Sequence, residues 1–171
     1  MLMTNPPFGK GIDVVGKEKL EQYEFGYKWD KNYRKPNKLK AKENPQIIFL
    51  ERDLQMLRHS GKMAVILPEM YLHDASVRYV IRHIAEHNNI FAVIDLPHNT
   101  FRPHCKAKCV VLFIEKGIPQ QDNITMGVIQ QIGHNHLGKP IYRINPDTQK
   151  QCPRFGTIQD LYHLNFTHQT A

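Results

Sequence analysis

Cysteine is scarce, with three in 171 residues. So odd and sparse a set does not build a disulfide scaffold, and a reducing, cytoplasmic setting is expected. Long apolar runs are missing as well. The longest, Met63 to Leu67 and Cys109 to Ile114, fall far short of the roughly 18 residues that a membrane span requires. No amino-terminal segment joins basic residues, an apolar core and a small-residue cleavage site, so no signal peptide is expected. The sequence holds no Gly-Lys-Ser/Thr phosphate loop, no nucleophile–base constellation, no paired-carboxylate signature and no internal repeat. Acid is in deficit: 16 Asp plus Glu stand against 23 Lys plus Arg, a formal charge of +7. A balance of that sign suits a polyanionic partner. Apolar residues make up 41%, which excludes wholesale disorder, and the length fits one domain.

What is present alternates between strand and helix patterns. Met1 to Thr4 reads as a strand stub running into Asn5-Pro6-Pro7-Phe8-Gly9. Adjacent prolines fix φ and lack an N–H donor, so they end the strand in a rigid turn. Residues 18–43 read as a long surface loop with a short helix near its start. It interleaves Lys28, Lys31, Arg34, Lys35, Lys38, Lys40 and Lys42 with Tyr23, Phe25, Tyr27, Trp29 and Tyr33. Asn44 and Pro45 then suit the start of a helix, with Ile47, Leu50, Leu54 and Leu57 on one face and Gly61 as its stop. Met63 to Leu67 predicts a buried strand. A second helix is expected from a Ser76 cap through Val77, Val80, Ile81 and Ile84 to Asn88-Asn89. Strands follow over Ile90 to Leu96, Ala107 to Ile114 and Met126 to Ile132, then a turn from Gly133 to Pro140 and a short helix begun by Thr157 and Asp160. The pattern predicts an α/β sheet covered on both faces, with one antiparallel hairpin.

The Asn5 turn suits one chemistry in particular. A planar exocyclic amine such as adenine N6 is a poor nucleophile, because its lone pair is delocalised. Acceptors on both of its hydrogens favour a tetrahedral, nucleophilic nitrogen. The Asn5 side-chain carbonyl and the Pro6 backbone carbonyl can serve, held stiffly by the prolines. Phe8 can stack on a base that has left its duplex. The bland alternative is a proline-rich turn after a strand. His98, His104, Cys105 and Cys109 lie close together. They lack paired Cys-x-x-Cys spacing, so buried thiols and surface histidines are expected there and no metal.

Asn5 to Gly9 resembles the catalytic turn of adenine-N6 DNA methyltransferases, most closely the modification subunits of type I restriction systems. The resemblance extends through Phe49 to Arg52, Leu57 to Pro68, Ile94 to Pro97 with Phe101, Val110 to Lys116, Ile132 to His134 and Gly138 to Pro140. It implies a Rossmann-like, three-layer methyltransferase fold with a mostly parallel sheet and an antiparallel strand pair. It also implies methyl transfer from S-adenosylmethionine to a flipped adenine in double-stranded DNA. Carried over by position, Asn5, Pro6, Pro7 and Phe8 would be catalytic or substrate-binding, with Asn5 also touching the cofactor. Lys10, Lys28, Lys31, Arg34, Lys35, Lys38 and Lys40 would contact phosphates. Residues 1–143 would form the carboxyl-terminal part of the catalytic domain, and 144–171 an extension with a short helix.

The family's second signature, a strand ending in a Phe-x-Gly-x-Gly type turn that holds the cofactor, has no counterpart in this sequence. The first half of the sheet is therefore expected to be missing and the chain to be inactive alone. Specificity and restriction subunits, or an amino-terminal methyltransferase half, are the expected partners. Two alternatives stay open: a non-catalytic remnant or complementing fragment that binds DNA or a partner chain, and a methyltransferase acting on RNA or a protein amide.

Overall fold

The computed structural model describes residues 1–8, 11–30, 38–130, 132–142, 144, 147–150 and the backbone of 165–170. Asn44 places its side-chain oxygen 2.9 Å from the Gln46 N–H and Pro45 occupies the first turn, so helix α2 (Pro45–Met56) starts where the cap demands. It stops at Met56, earlier than the Gly61 stop predicted from sequence, because Leu57 leaves the helix in an extended conformation. Strand β4 (Lys62–Pro68) follows and pairs in parallel with β1 (Leu2–Thr4). Between them in the chain lie β2 (Val14–Val15), α1 (Lys17–Leu20), a single 3-10 turn at Glu24–Gly26, and β3 (Lys42–Glu43).

The short helix α3 (Met70–His73) leads into α4 (Arg78–His87). Ser76 does not cap α4. Its N–H and hydroxyl both donate to Asp74, and Val77 precedes the helix without a side-chain cap. The chain passes straight from α4 into β5 (Asn88–Asp95), then β6 (Cys109–Lys116) and β7 (Asn123–Val128). Strand β7 begins and ends earlier than the Met126 to Ile132 segment predicted for it. A strand unforeseen in the sequence, β8 (Asn165–Thr170), returns to pair antiparallel with β7. The helix predicted at Thr157 lies outside the described residues.

The sheet order is β1-β4-β6-β5-β7-β8. Strands β1, β4, β5 and β7 share one direction, but β6 inserts antiparallel between β4 and β5. The parallel character is therefore interrupted at the middle of the sheet. Side chains alternate between faces along a strand. Met63, Val65 and Leu67 of β4 and Val110, Leu112 and Ile114 of β6 join Ile47, Leu50, Val80 and Ile84 in one buried cluster. Helices α2 and α4 thus pack on the same face, among the described residues.

Helix α2 runs antiparallel to β4, because only residues 57–61 separate them. Its first turn lies at the carboxyl end of β4, beside the carboxyl end of β1. The α3–α4 corner lies there too, since it follows Pro68 directly. Asp53, on the α2 face toward β1, is only 8% exposed. Burial pushes its carboxyl above the usual value of 3.8, opposed by a hydrogen bond from Thr4. A raised folded-state pKa means that the folded protein retains the proton longer than the unfolded chain. Stability is therefore full below the unfolded value and falls as pH rises through the folded one. Asp53→Asn should raise the melting temperature at pH 7 and leave it nearly unchanged well below pH 3.8, measured by thermal denaturation at both values.

Candidate functional site

The Asn5 turn leaves β1 at its carboxyl end. Pro6 is fully buried and fixes the backbone, while Asn5 and Pro7 are exposed. No described residue hydrogen-bonds the Asn5 side chain, so its carbonyl is free to accept. Phe8 is half-buried and packs on Phe101, with ring centroids 5.4 Å apart at 43°.

Phe101 sits in the loop between β5 and β6. Thr100 donates to the Pro97 carbonyl at 2.6 Å, the Cys105 N–H donates to the Phe101 carbonyl at 2.8 Å, and Arg102 meets His98 at 3.2 Å. The loop's end is fastened to the sheet by Lys108. Its ammonium lies 3.1 Å from Asp95 and 3.3 Å from Glu69, and the Glu69 N–H donates to the Lys108 carbonyl at 2.9 Å. The Asp95 hydrogen bond chiefly, with Glu69 in support, raises the Lys108 pKa above its usual value. This loop reaches back across β4 and places Phe101 on the Asn5 turn. The pairing joins residues far apart in the chain and leaves no local signal in the sequence.

Part of the basic stretch is folded rather than loose. Both carboxylate oxygens of Glu51 accept from the Glu24 and Phe25 N–H groups at 2.8 Å. Phe25, 1% exposed, packs edge-on against Tyr79 and His83. Trp29 stacks on Tyr79, with centroids 5.7 Å apart at 21°. The Lys28 N–H donates to the Lys38 carbonyl and the Lys40 N–H to the Gly26 carbonyl, both at 2.9 Å, which draws the stretch into a two-stranded arm. Lys28 and Lys38 are exposed. Lys40, by contrast, has a side chain only 17% exposed and donates to the Phe25 carbonyl, Glu43 and the Tyr79 hydroxyl. Its donors are spent on anchoring the arm. Lys10, Lys31, Arg34 and Lys35 lie outside the described residues. Burial and the neighbouring Glu43 hold the Tyr71 and Tyr79 hydroxyls protonated far above the usual range.

Among the described residues no group of three or more His, Cys, Asp or Glu side chains could hold a metal ion, and no helix is long and apolar enough to cross a membrane. Burial pushes the Cys109 thiol up to about 12, which leaves it a poor nucleophile.

A sheet with an antiparallel strand inserted beside parallel ones, and an Asn-Pro-Pro-Phe turn at a strand's carboxyl end, agree with the Rossmann-like methyltransferase fold expected from the sequence. Residues 1–151 match the N-6 DNA methylase family, and the chain belongs to it. The methylase subunit of the Escherichia coli type I restriction enzyme EcoEI is 29% identical over 123 residues, 71% of this chain and 22% of that subunit. The chain thus spans about a fifth of the length of this curated relative. A crystal structure described as a modification subunit of a type I restriction enzyme from Vibrio vulnificus superposes with a TM-score of 0.59 at 21% identity, over 82% of this chain and 28% of that one. A class I S-adenosylmethionine-dependent methyltransferase fold from Listeria monocytogenes gives 0.56 at 12% identity, over 76% and 36%. Likeness at these identities establishes the fold.

The described residues do not by themselves fit a cofactor of that kind. Asn5 stands on open surface, and an added Cβ on Gly11, Gly16 or Gly133 would meet nothing within 4 Å. None of these glycines shapes a cradle.

Proposed function

We propose that this chain carries the target-base side of an adenine-specific N6 DNA methyltransferase of a type I restriction-modification system. Asn5 carries the reading: an exposed amide with no partner among the described residues, held at a strand end by a buried proline. In this role the Asn5 side-chain carbonyl and the Pro6 backbone carbonyl accept the two hydrogens of adenine N6 and draw its lone pair out of the ring. Phe8, braced by Phe101, offers an aromatic face to the flipped base. When bound, S-adenosylmethionine would supply the methyl group, with the rest of a longer polypeptide or a separate chain completing its pocket. Lys28 and Lys38 meet the DNA backbone, joined by Lys31, Arg34 and Lys35 from the same stretch of sequence and by Lys10, next in sequence to the Asn5 turn. Recognition of a DNA sequence falls to a specificity subunit, and a restriction subunit is the further partner.

The test is labelled-methyl transfer to duplex DNA, RNA and protein by this chain joined to the remainder of a type I methylase subunit. Label is expected on adenine N6 of duplex DNA. Label on RNA, or on a protein amide, overturns the proposal.

A further inference from the structure

A second site lies on the arm rather than at the turn. A groove of about 820 Å³ opens between the arm and the α3–α4 corner. Trp29 and Tyr79 line it, together with Ile47, Val77, Lys28 and Lys42. One carboxylate lining it, Glu43, is paired with Lys40, and Lys42 pairs with Asp13 at 2.6 Å. Asp30 also lines the groove. Among the described residues, the ammonium groups of Lys28 and of its neighbour across the arm, Lys38, have no partner. Trp29 stacks on Tyr79, whose ring centroid lies 4.8 Å from the Lys40 ammonium and whose hydroxyl is held by Lys40 and Glu43. The first turn of α2 and the α3–α4 corner both lie at the carboxyl end of β4, so the groove opens at the same end of the sheet as the Asn5 turn.

We infer that this groove holds an unstacked nucleotide of single-stranded DNA, its base on the Trp29–Tyr79 pair and its phosphate on Lys28. The inference rests on the DNA-methylating reading and adds to it a subsite separate from the flipped adenine. Aromatic rings with a cation beside them form the arrangement that binds single strands without sequence preference, because every base has a π-face. Flipping one base out of a duplex leaves its neighbours less well stacked, which supplies such a nucleotide close to the Asn5 turn.

Trp29 is the chain's sole tryptophan, so its emission reports the groove directly. The purified chain is titrated with a short single-stranded oligothymidylate carrying a dye, following Trp29 emission and dye anisotropy together. Saturable quenching that parallels the anisotropy is expected. Lys28→Glu should weaken binding about tenfold and flatten its salt dependence. Tyr79→Leu should weaken binding about tenfold through lost stacking, with circular dichroism to verify the fold. Binding without quenching, quenching by duplex alone, quenching that Lys28→Glu leaves unchanged, or no binding at all would each overturn the inference. Methyl transfer reads the Asn5 turn and Trp29 emission reads the groove, so either can fail alone.

Discussion

Asn5→Ala is expected to lower methyl transfer by about 100-fold in the joined enzyme, with little change in DNA affinity. The magnitude follows from the loss of one preorganised polar group aimed at the reacting centre, which typically costs about 10²–10³ in rate. In the proposed chemistry, the substitution removes the side-chain acceptor and keeps the Pro6 carbonyl, so one hydrogen of the amine would go unheld. Asn5 is exposed, so the melting temperature should stay within a degree or two. Asn5→Asp is the informative companion. It keeps an acceptor in place but adds a negative charge near DNA, and should retain more activity than alanine while binding DNA more weakly. Single-turnover rates beside equilibrium binding separate the two effects. A full-rate Asn5→Ala enzyme would remove the basis for the proposed chemistry.

Phe25→Ala is expected to carry the largest stability cost, about 3–5 kcal/mol, the range for deleting a buried aromatic ring. Phe25 is 1% exposed and touches Trp29, Tyr79 and His83. Its loss empties the joint between the arm and helix α4. Urea denaturation should show the midpoint falling. Trp29 emission should shift to the red under native conditions, because the indole loses its neighbour. Leu50→Ala, a fully buried residue on the other long helix, serves as the control: it should cost about 2–5 kcal/mol without moving Trp29 emission. If Phe25→Ala lowered stability and left the emission unmoved, the arm would be held by something other than Phe25.

The elements legible in the sequence are those that carry their own periodicity. Asn44-Pro45 with Ile47 and Leu50 marks α2, and the apolar runs around Val65, Val93 and Leu112 mark the central strands. Boundaries slip where a polar residue still belongs to a ladder, as with Glu115 and Lys116, which pair with Asn89 and Asn88. Residues 165–170 escape notice because Asn, Thr, His and Gln dominate them, and only pairing with β7 makes them a strand. The turn after β1 was readable as a rigid turn because its two prolines are adjacent in the sequence. Its support was not: Phe8 meets Phe101 through tertiary packing alone. Among the basic residues, local pattern cannot separate Lys28, which faces solvent, from Lys40, whose ammonium is drawn inward by Phe25, Glu43 and Tyr79. A lysine's charge is visible in the sequence, but its partners belong to the fold.

The antiparallel insertion of β6 sets the order in which this sheet can be assembled. During synthesis β5 emerges before β6, yet its place is one strand away from β4, across a slot that β6 alone can fill. Neither neighbour can complete its ladder until the chain has been made through Lys116, whose ammonium then hydrogen-bonds the carbonyls of Gln55 and Leu57 at the end of α2. The central strands must therefore be secured late and together, by contacts between residues far apart in the chain. Slow, highly cooperative refolding follows from that topology.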